Sequence, residues 1–314
     1  MDEKKLLSKL CKMYYYDELT QSQISEILKI ERTKISRLLK RAKDIGIVKI
    51  IINDVFLEQL EMESELKKKY GLKEVMLVSS DEDILSNIAR ATHDYLQKIS
   101  REREVVGITW GKTIKEFSTC IPLNPTAKID FIALLGGYGN LREYMPINSM
   151  IYNLASSYKG TPYFLESPLI VDNPEVKEQI ISSRFFSTIL EIWDELKIVV
   201  VGIGAPEKCS NIIWETGLSG TNELEEFRKE IREKKAVGEI CSKFYDIDGN
   251  LIKTELDKSI IGIELEKLRN IKYSIGIAGG KEKIDAICGA IKGKFINVLV
   301  TDMETAKGLM KKES

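Results

Sequence analysis

The sequence predicts an α/β protein, with an N-terminal helix-turn-helix (winged-helix-like) domain followed by a larger domain built on a parallel sheet. The first fifty residues contain short amphipathic segments separated by tight turns. After Gly71, continuous apolar runs alternate with helical runs, which is typical of a parallel sheet covered on both faces. The length of 314 residues is enough for two domains.

Charge is unevenly distributed along the chain. Residues 1–50 hold twelve Lys and Arg against seven Asp and Glu, although the whole chain has a net charge of -1. The five cysteines are scattered and there is one histidine, so we expect neither a metal nor a cofactor. The N-terminus lacks a signal-peptide core, and no run reaches the roughly 20 apolar residues of a membrane span. We therefore expect a cytoplasmic protein that does not bind membranes.

The basic N-terminal segment is divided into three helices. The first covers residues 4–16, and the second follows Thr20, a candidate N-cap, with Ile24, Ile27 and Leu28 as one apolar stripe. The third helix runs from about Arg32 to Asp44, and Gly46 closes it at the C-cap position. The β-branched run 47–53 then predicts a strand or wing.

The third helix is the candidate recognition helix. Ile35, Leu38, Leu39 and Ala42 form its apolar face, and the opposite face carries most of the cations. A small helical cap with a solvated basic face would show the same pattern, but the spacing of three helices and the basic head favour DNA binding. The candidate DNA-binding residues are Thr20, Gln21, Arg32, Thr33, Lys34, Ser36, Arg37, Lys40 and Arg41.

The proposed domain limits are 1–54 for the DNA-binding domain, 55–70 for a linker helix and 71–314 for an effector domain. Parallel sheets bind ligands outside the carboxyl ends of their strands, so the turns that follow strands are the candidate site. These turns contain Gly111, Lys112 and Thr113, then Gly136 and Gly137, then Gly202 and Gly204, and finally Lys281 and Lys283.

Each of these local patterns has a second interpretation. Gly111 to Thr113 suit a phosphate at a helix start, with Thr113 as the cap, but a plain turn is equally compatible. Gly136 and Gly137 leave room for a ligand or simply form a tight turn. Asn148 either binds a sugar hydroxyl or caps its own helix. Glycine turns with lysines at helix starts favour a phosphorylated small molecule over an apolar one.

The chain also resembles a known family. The segment "LTQSQISEILKIERTKISRLLKRAKDIGIVKI" is similar to the DNA-binding segment of the SorC family of sugar-responsive bacterial transcriptional regulators. The resemblance continues through "GITWGKT", "LLGGYGN", "INSMIYNLA", "VVVGIGAP", "GEICSKFYDIDGN" and "AGGKEKIDAICGAIKGKFINVLVTD". It implies an effector domain whose fold is similar to sugar-phosphate isomerases and deaminases, and a homo-oligomer, either a dimer or a tetramer.

The resemblance also implies roles for individual residues. The positions of Gly111 to Thr113, Gly136 to Gly137 and Lys283 belong to the phosphate and sugar site of the family. Glu239 matches an acidic position that contacts sugar hydroxyls, although the local sequence is equally that of a surface carboxylate before a strand. Some members have a basic residue where this chain has Leu135, so its ligand is expected to carry fewer phosphates than theirs, or none at that end. The expected partners are double-stranded operator DNA and a phosphorylated sugar, and the expected function is repression of a carbohydrate catabolic operon.

Two alternatives are weaker. A sugar-phosphate isomerase or deaminase would need a positioned acid and base. The histidine, His93, lies on a helix distant in sequence from the glycine turns, as a surface or packing residue. The deaminases that the domain resembles carry Asp-Gly-His shortly after such a turn, where this chain has Pro206, Glu207 and Lys208. An architectural nucleic-acid protein would leave the α/β domain without a role. We therefore expect no catalytic residues.

Overall fold

The computed structural model describes residues 3–48, 56–80, 83–120, 125–137, 145–206 and 222–313. Contacts between residues divide the chain into two compact units, Met1–Leu57 and Glu58–Ser314. Each unit has a hydrophobic core of its own. The larger unit has a parallel sheet with helices, so the predicted α/β class is confirmed. In the described ranges, no helix is long and apolar enough to cross a bilayer.

The described part of the N-terminal unit consists of helices α1 (Glu3–Tyr15), α2 (Gln21–Leu28) and α3 (Arg32–Asp44). Thr20 caps α2, as predicted. Its hydroxyl accepts a hydrogen bond from the Gln23 amide at 3.3 Å, while Gln23 Oε1 accepts one from the Thr20 amide at 2.9 Å. This reciprocal capping box satisfies two backbone donors that the helix itself leaves unpaired.

Gly46 ends α3 in a left-handed conformation, with a φ of 77°. The amides of Gly46 and Ile47 donate to the carbonyls of Lys43 and Ala42 at 3.0 and 2.9 Å. This pair of bonds is the Schellman arrangement, which explains why a glycine is needed at that position. The strand or wing predicted next covers residues 47–53, of which 49–53 lie outside the described residues.

One apolar core holds the N-terminal unit together. Ile35, Leu39 and Ala42 of α3 are buried against α1 and α2, and Leu38 packs at the margin. The α2 stripe is only partly confirmed, because Ile24 is fully buried but Ile27 is 58% exposed. The other buried apolar side chains of this core are Leu7, Leu10, Cys11 and Met13. Burying a side chain such as Ile35 contributes about 2 kcal/mol.

The larger unit contains two sheets. Its strands are β1 (Glu74–Val78), β2 (Glu104–Ile108), β3 (Ile129–Ala133), β4 (Pro162–Tyr163), β5 (Ile198–Gly202), β6 (Gly238–Ile240), β7 (Lys243–Tyr245), β8 (Leu251–Ile252), β9 (Tyr273–Ile277) and β10 (Val298–Asp302). The main sheet is parallel throughout, in the order β1-β10-β9-β5-β2-β3-β4. The small sheet is antiparallel, in the order β6-β7-β8.

Helices accompany the main sheet. They are α4 (Leu57–Tyr70), α5 (Ile84–Ile99), α6 (Lys112–Thr119), α7 (Ile147–Ser157), α8 (Pro174–Ile181), α9 (Arg184–Glu195), α10 (Asn222–Glu233), α11 (Leu265–Leu268), α12 (Ile284–Lys292) and α13 (Met303–Lys311). Within the described ranges, the long apolar strands lie where the sequence predicts them. The short strands β4 and β6 to β8 were not predicted, because two or three residues are too few to establish a periodicity.

Helix α4 packs on the larger unit. Leu66 is fully buried in its core, and Glu63 Oε1 accepts a hydrogen bond from the Leu77 amide of β1 at 2.8 Å. The Lys69 ammonium donates to the carbonyls of Leu309, Met310 and Lys312 at the end of α13. Since β1 also pairs with β10, the first and last elements of this unit are neighbours.

His93 is a packing residue inside α5, one of the two roles expected for it. Its ring stacks on Phe117 at a centroid distance of 4.2 Å, and its nitrogens lie 2.9 Å from the Tyr158 hydroxyl and from the Phe117 carbonyl. The histidine therefore joins α5, α6 and α7. Burial lowers the pKa of His93 to about 4, although the hydrogen bond to the Phe117 carbonyl favours the protonated ring.

The depressed pKa of His93 predicts a loss of stability in acid. The ordinary pKa of 6.5 applies to the unfolded chain, so between pH 6.5 and 4 only the unfolded state takes up the proton and is favoured. At pH 5 this effect removes about 2 kcal/mol from the free energy of unfolding relative to pH 8. Urea unfolding of the wild type and of His93→Gln across this pH range measures the effect. The difference in free energy of unfolding between the two proteins should narrow as the pH falls, and a constant difference would contradict the lowered pKa of His93.

Candidate functional site

The carboxyl ends of adjacent strands bring the predicted effector residues together. Strands β9, β5, β2 and β3 are neighbours in the main sheet and run in the same direction. The turns that follow them therefore meet at one edge. From β2 the chain first adds β3 and β4 on one side and then adds β5 on the other side. Open α/β sheets bind their ligands at such a switch point, which here lies between β5 and β2.

The turn after β2 offers a helix start without a side-chain cap. Helix α6 begins at Lys112, and Gly111 occupies the cap position with a φ of 136° that favours glycine. Thr113 is therefore the second residue of the helix, and its predicted role as the cap is wrong. A hydrogen bond of 3.0 Å from the Gly202 amide to the Thr109 hydroxyl ties this turn to the end of β5.

The glycine pair after β3 serves the fold more than a ligand. A Cβ at Gly136 would lie 2.3 Å from the Pro168 carbonyl oxygen, so this glycine allows the close approach of another backbone segment. The Gly136 and Gly137 amides donate to the carbonyls of Ile261 and Ser167. Open space remains beside Gly137 alone, and Leu135 is buried.

Asn148 is the second residue of α7 and does not cap that helix, whose cap position is Pro146. Its Nδ2 donates to the Leu165 carbonyl at 3.4 Å, and its Oδ1 is buried without a hydrogen-bond partner. Of the two roles considered for Asn148, the cap is therefore wrong. An unpaired amide oxygen is a group that a ligand hydroxyl can satisfy.

Glu239 reaches the carboxyl edge from the small sheet. The Gly204 amide donates to the Glu239 carbonyl at 2.9 Å, and the Glu239 amide donates to the Gly204 carbonyl at 3.0 Å. The Glu239 side chain then lies over Gly204, where a Cβ would be 2.3 Å from Oε1. Gly204 is consequently a glycine because the carboxylate occupies the space above it.

Lys283 is the cation that acts electrostatically on the Glu239 carboxylate. Burial raises the pKa of Glu239 to about 7, while the Lys283 ammonium and a hydrogen bond of 3.1 Å from the Ser242 amide lower it. Within the described part of the chain, Lys283 forms no ion pair, whereas Lys281 pairs with Glu304 at 3.3 Å. The half-buried Lys283 is therefore available to an anionic ligand.

Asp302, which the sequence analysis did not select, holds the turn that carries Lys283. Its carboxylate accepts hydrogen bonds from Ser80, from the Gly280 amide and from both the amide and hydroxyl of Thr305. Burial raises the pKa of Asp302, but these hydrogen bonds outweigh burial and keep the pKa below its ordinary value. The signal in the sequence was an aspartate at a strand end followed three residues later by threonine, a helix-capping pattern.

A cavity of about 300 Å³ lies elsewhere in the larger unit, beside β7, β8 and α10. The buried Lys243 ammonium in its wall lies 3.3 Å from Asp257 and 3.7 Å from Glu264. None of the predicted effector residues lines this cavity. The Lys243 ammonium is therefore already neutralised by two carboxylates.

The predicted DNA-binding residues form an exposed surface on the N-terminal unit. Those on α3 all point to solvent, and Thr20, Gln21 and Arg32 border one shallow depression. Arg41 pairs with Glu3 at 2.9 Å, but an exposed pair of this kind contributes little stability and opens easily. In the described ranges, Arg32, Lys34, Arg37 and Lys40 form no ion pair, so their charges are free for phosphates.

The raised pKa of Glu239 predicts that Glu239→Gln stabilises the ligand-free protein above pH 7. Ionisation costs the folded state there but not below pH 4.5, where both states are protonated. The free energy of unfolding of the variant should exceed that of the wild type by about 3 kcal/mol at pH 8, and the excess should vanish towards pH 4.5. Urea unfolding at several pH values measures this excess, and a variant less stable than the wild type at pH 8 would contradict it.

Comparisons with known proteins identify the family of this chain. The family described as "Putative sugar-binding domain" matches residues 54–311. The sorbitol operon regulator of Klebsiella pneumoniae is 36% identical over 99% of both chains, and its full-length crystal structure superimposes with a TM-score of 0.76 over 99% of this chain and 100% of that one. The deoxyribonucleoside regulator of Bacillus subtilis is 31% identical over 98% of both chains. The chain therefore belongs to the SorC family of transcriptional regulators with a sugar-binding domain.

Proposed function

We propose that this chain represses a carbohydrate operon and that a phosphorylated sugar bound at the carboxyl edge of the main sheet controls its affinity for operator DNA. In this proposal residues 1–54 bind DNA, 55–70 connect the domains and 71–314 hold the effector, in a cytoplasmic protein. The observation that carries it is the arrangement of two charged side chains at this edge. The Ser242 amide holds the carboxylate of Glu239, and the Lys283 ammonium, which forms no ion pair in the described part of the chain, acts on that carboxylate electrostatically. Helix α6 begins at the same edge without a side-chain cap.

The DNA-binding half of the proposal depends on the exposed face of α3. Thr33, Lys34, Ser36 and Arg37 lie in its first turns, where a recognition helix contacts base edges in the major groove. Lys40 and Arg41 lie further along and are suited to phosphate contacts. Thr20 and Gln21 stand at the start of α2, where backbone contacts position such a unit on the duplex.

The effector half depends on the division of charge at the sheet edge. The start of α6, with Lys112, suits a phosphate, because a helix start carries a partial positive charge. Glu239 and the unpaired Oδ1 of Asn148 are acceptors for sugar hydroxyls. Gly137 leaves space beside its backbone, Gly204 makes room for the Glu239 carboxylate, and Lys283 completes the set of cations. Leu135 adds no charge, which favours a ligand with a single phosphate.

Regulation follows from linkage between the two ligands. In a symmetric dimer or tetramer, two recognition helices bind the half-sites of a palindromic operator. A sugar that binds the free and DNA-bound forms unequally changes operator affinity, and the operator changes sugar affinity by the same factor. The names of the relatives, a sorbitol operon regulator and a deoxyribonucleoside regulator, support a small carbohydrate as the effector.

A panel of ligands tests the proposal as a whole. Purified protein is titrated with sorbitol 6-phosphate, fructose 6-phosphate, 2-deoxyribose 5-phosphate, their unphosphorylated forms and inorganic phosphate. A ligand at a hundred times its Kd should raise the free energy of unfolding by about 2.7 kcal/mol. The same ligand should change the mobility of a DNA duplex that the protein selects from a random pool. If no sugar phosphate changes either quantity, the effector half fails.

One specific observation favours a second candidate function. A carboxyl group with a pKa of about 7 has the proton affinity of a general base at neutral pH, so Glu239 is also suited to isomerising a sugar phosphate. His93 is unsuited to that role, because both of its nitrogens are engaged in the core. Steady turnover of any panel member, followed by ¹³C NMR and lost in Glu239→Gln, would establish the enzyme.

Arg37→Ala should weaken binding to the selected duplex by about tenfold or more, since a lost bidentate base contact costs about 1–3 kcal/mol. Sugar binding should not change, because the residue belongs to the N-terminal unit. Fluorescence anisotropy with labelled duplex measures the affinity. Lys9→Ala on α1 is the matched control that removes an equal charge outside the proposed interface. Equal DNA affinity of Arg37→Ala and Lys9→Ala would count against the recognition helix.

Lys283→Ala should weaken sugar-phosphate binding at least tenfold, because a partly buried charge-assisted hydrogen bond contributes about 1.5–3 kcal/mol. Lys281→Ala, two residues earlier, is the matched control, since Lys281 is exposed and already paired with Glu304. Isothermal titration calorimetry compares the two variants. The proposed site is wrong if Lys281→Ala loses as much affinity as Lys283→Ala.

A further inference from the structure

The turn that joins β6 to β7 is strained. Ile240 pairs directly with Lys243, so Cys241 and Ser242 form a hairpin loop of two residues. Both have left-handed backbones, with φ values of 55° and 62°. A two-residue loop of this type normally contains Asn-Gly, because other residues resist a positive φ. Here both residues carry larger side chains than glycine, and both are buried.

The strained turn places one backbone donor against the effector site. The Ser242 amide donates to Oε2 of Glu239 at 3.1 Å. The other oxygen, Oε1, lies over Gly204. The Ser242 hydroxyl is itself buried without a hydrogen-bond partner. Burying such a group is costly, and backbone strain of this kind is concentrated at functional sites.

The rest of the hairpin is anchored independently of Glu239. The Tyr245 hydroxyl donates to the Ala286 carbonyl of α12 at 3.0 Å, and Lys243 is held by Asp257 and Glu264. The Tyr245 ring also packs on Gly238, where a Cβ would be 2.4 Å away. The strain in the turn is therefore not needed to attach the small sheet. Its distinctive consequence is the direction of the Ser242 N–H.

We propose that Ser242 is a positioning residue of the effector site, whose main-chain N–H fixes Oε2 of Glu239 so that Oε1 alone accepts a hydroxyl of the sugar. This role rests on the proposed function for its ligand, but the geometry of the carboxylate exists without one. Holding an acceptor in place before binding avoids the loss of side-chain freedom that a ligand would otherwise have to offset. The same N–H favours the ionised carboxylate, which is the better acceptor.

The first test removes only the N–H group. Glyceric acid in place of Ser242 converts the amide to an ester and retains the side chain. In the ligand-free full-length protein, ¹³C NMR follows the titration of the Glu239 carboxyl. The pKa of Glu239 should rise by about 1 in the ester, because a hydrogen bond to the charged form is lost. In Ser242→Gly, which keeps the N–H and relieves the positive φ, the pKa should stay unchanged and the melting temperature should rise.

The second test measures sorbitol 6-phosphate binding by calorimetry from pH 5.5 to 8.5. The ester should bind about tenfold more weakly at pH 7, while Ser242→Gly binds like the wild type. If the ester does not fold, a glycine inserted after Cys241 displaces the same N–H and should give the same loss. Ser100→Ala is the control. It removes another buried hydroxyl without a hydrogen-bond partner, at the end of α5, which precedes β2 and is remote from the carboxyl edge of the sheet.

The outcomes separate two failures. An unchanged Glu239 pKa in the ester, or an equal loss of affinity in Ser242→Gly, overturns the positioning role of the N–H. If the wild type binds no sugar phosphate while the carboxyl titration behaves as expected, the local geometry stands and the proposed effector fails, and with it the role of Ser242 in binding.

Discussion

The arrangement of the proposed effector site depends on the reciprocal backbone hydrogen bonds between Gly204 and Glu239. They are the point at which the small antiparallel sheet meets the parallel one, and they bring a carboxylate from the small sheet to the carboxyl edge of the main sheet. A side chain at position 204 would collide with this carboxylate, so the junction requires glycine on one side. Lys283 faces the same carboxylate because α12, which follows it, is tied to the hairpin through Tyr245. The site is thus a meeting of three chain segments distant in sequence.

Two buried ionisable groups give the larger unit opposing responses to pH. His93 is held neutral in the core, where it connects helices, and Glu239 lies at the carboxyl edge of the sheet, where the proposed sugar would present a hydroxyl. The first is an ordinary packing residue, satisfied on both sides. The second is under-solvated and only partly compensated, which is typical of groups kept for binding rather than for stability. Their environments therefore distinguish structure from function more clearly than their residue types do.

The sequence was sufficient to predict the long elements. The capping box at Thr20, the stop at Gly46 and the apolar strands follow from local chemistry, and the structure has them where they were expected within the described residues. It was insufficient wherever a residue's role depends on a distant neighbour. Gly136 resembled a ligand-binding glycine, yet the nearby Pro168 backbone is what excludes a side chain there. Thr113 looked like a cap, but the helix begins at Lys112 and Gly111 occupies the cap position. The Cys241–Ser242 turn contains neither the asparagine nor the glycine that such a two-residue turn usually has, and the strand register identifies it.

The pairing of β1 with β10, together with the contact of Lys69 with the last turn of α13, has an evolutionary consequence. The larger unit begins and ends at the same border of its sheet, so its chain can be entered from outside without interrupting any strand. Units with adjacent termini tolerate fusion, insertion and permutation. The domain attached ahead of α4 can therefore be exchanged without disturbing the sheet, its glycine turns or the Glu239 carboxylate.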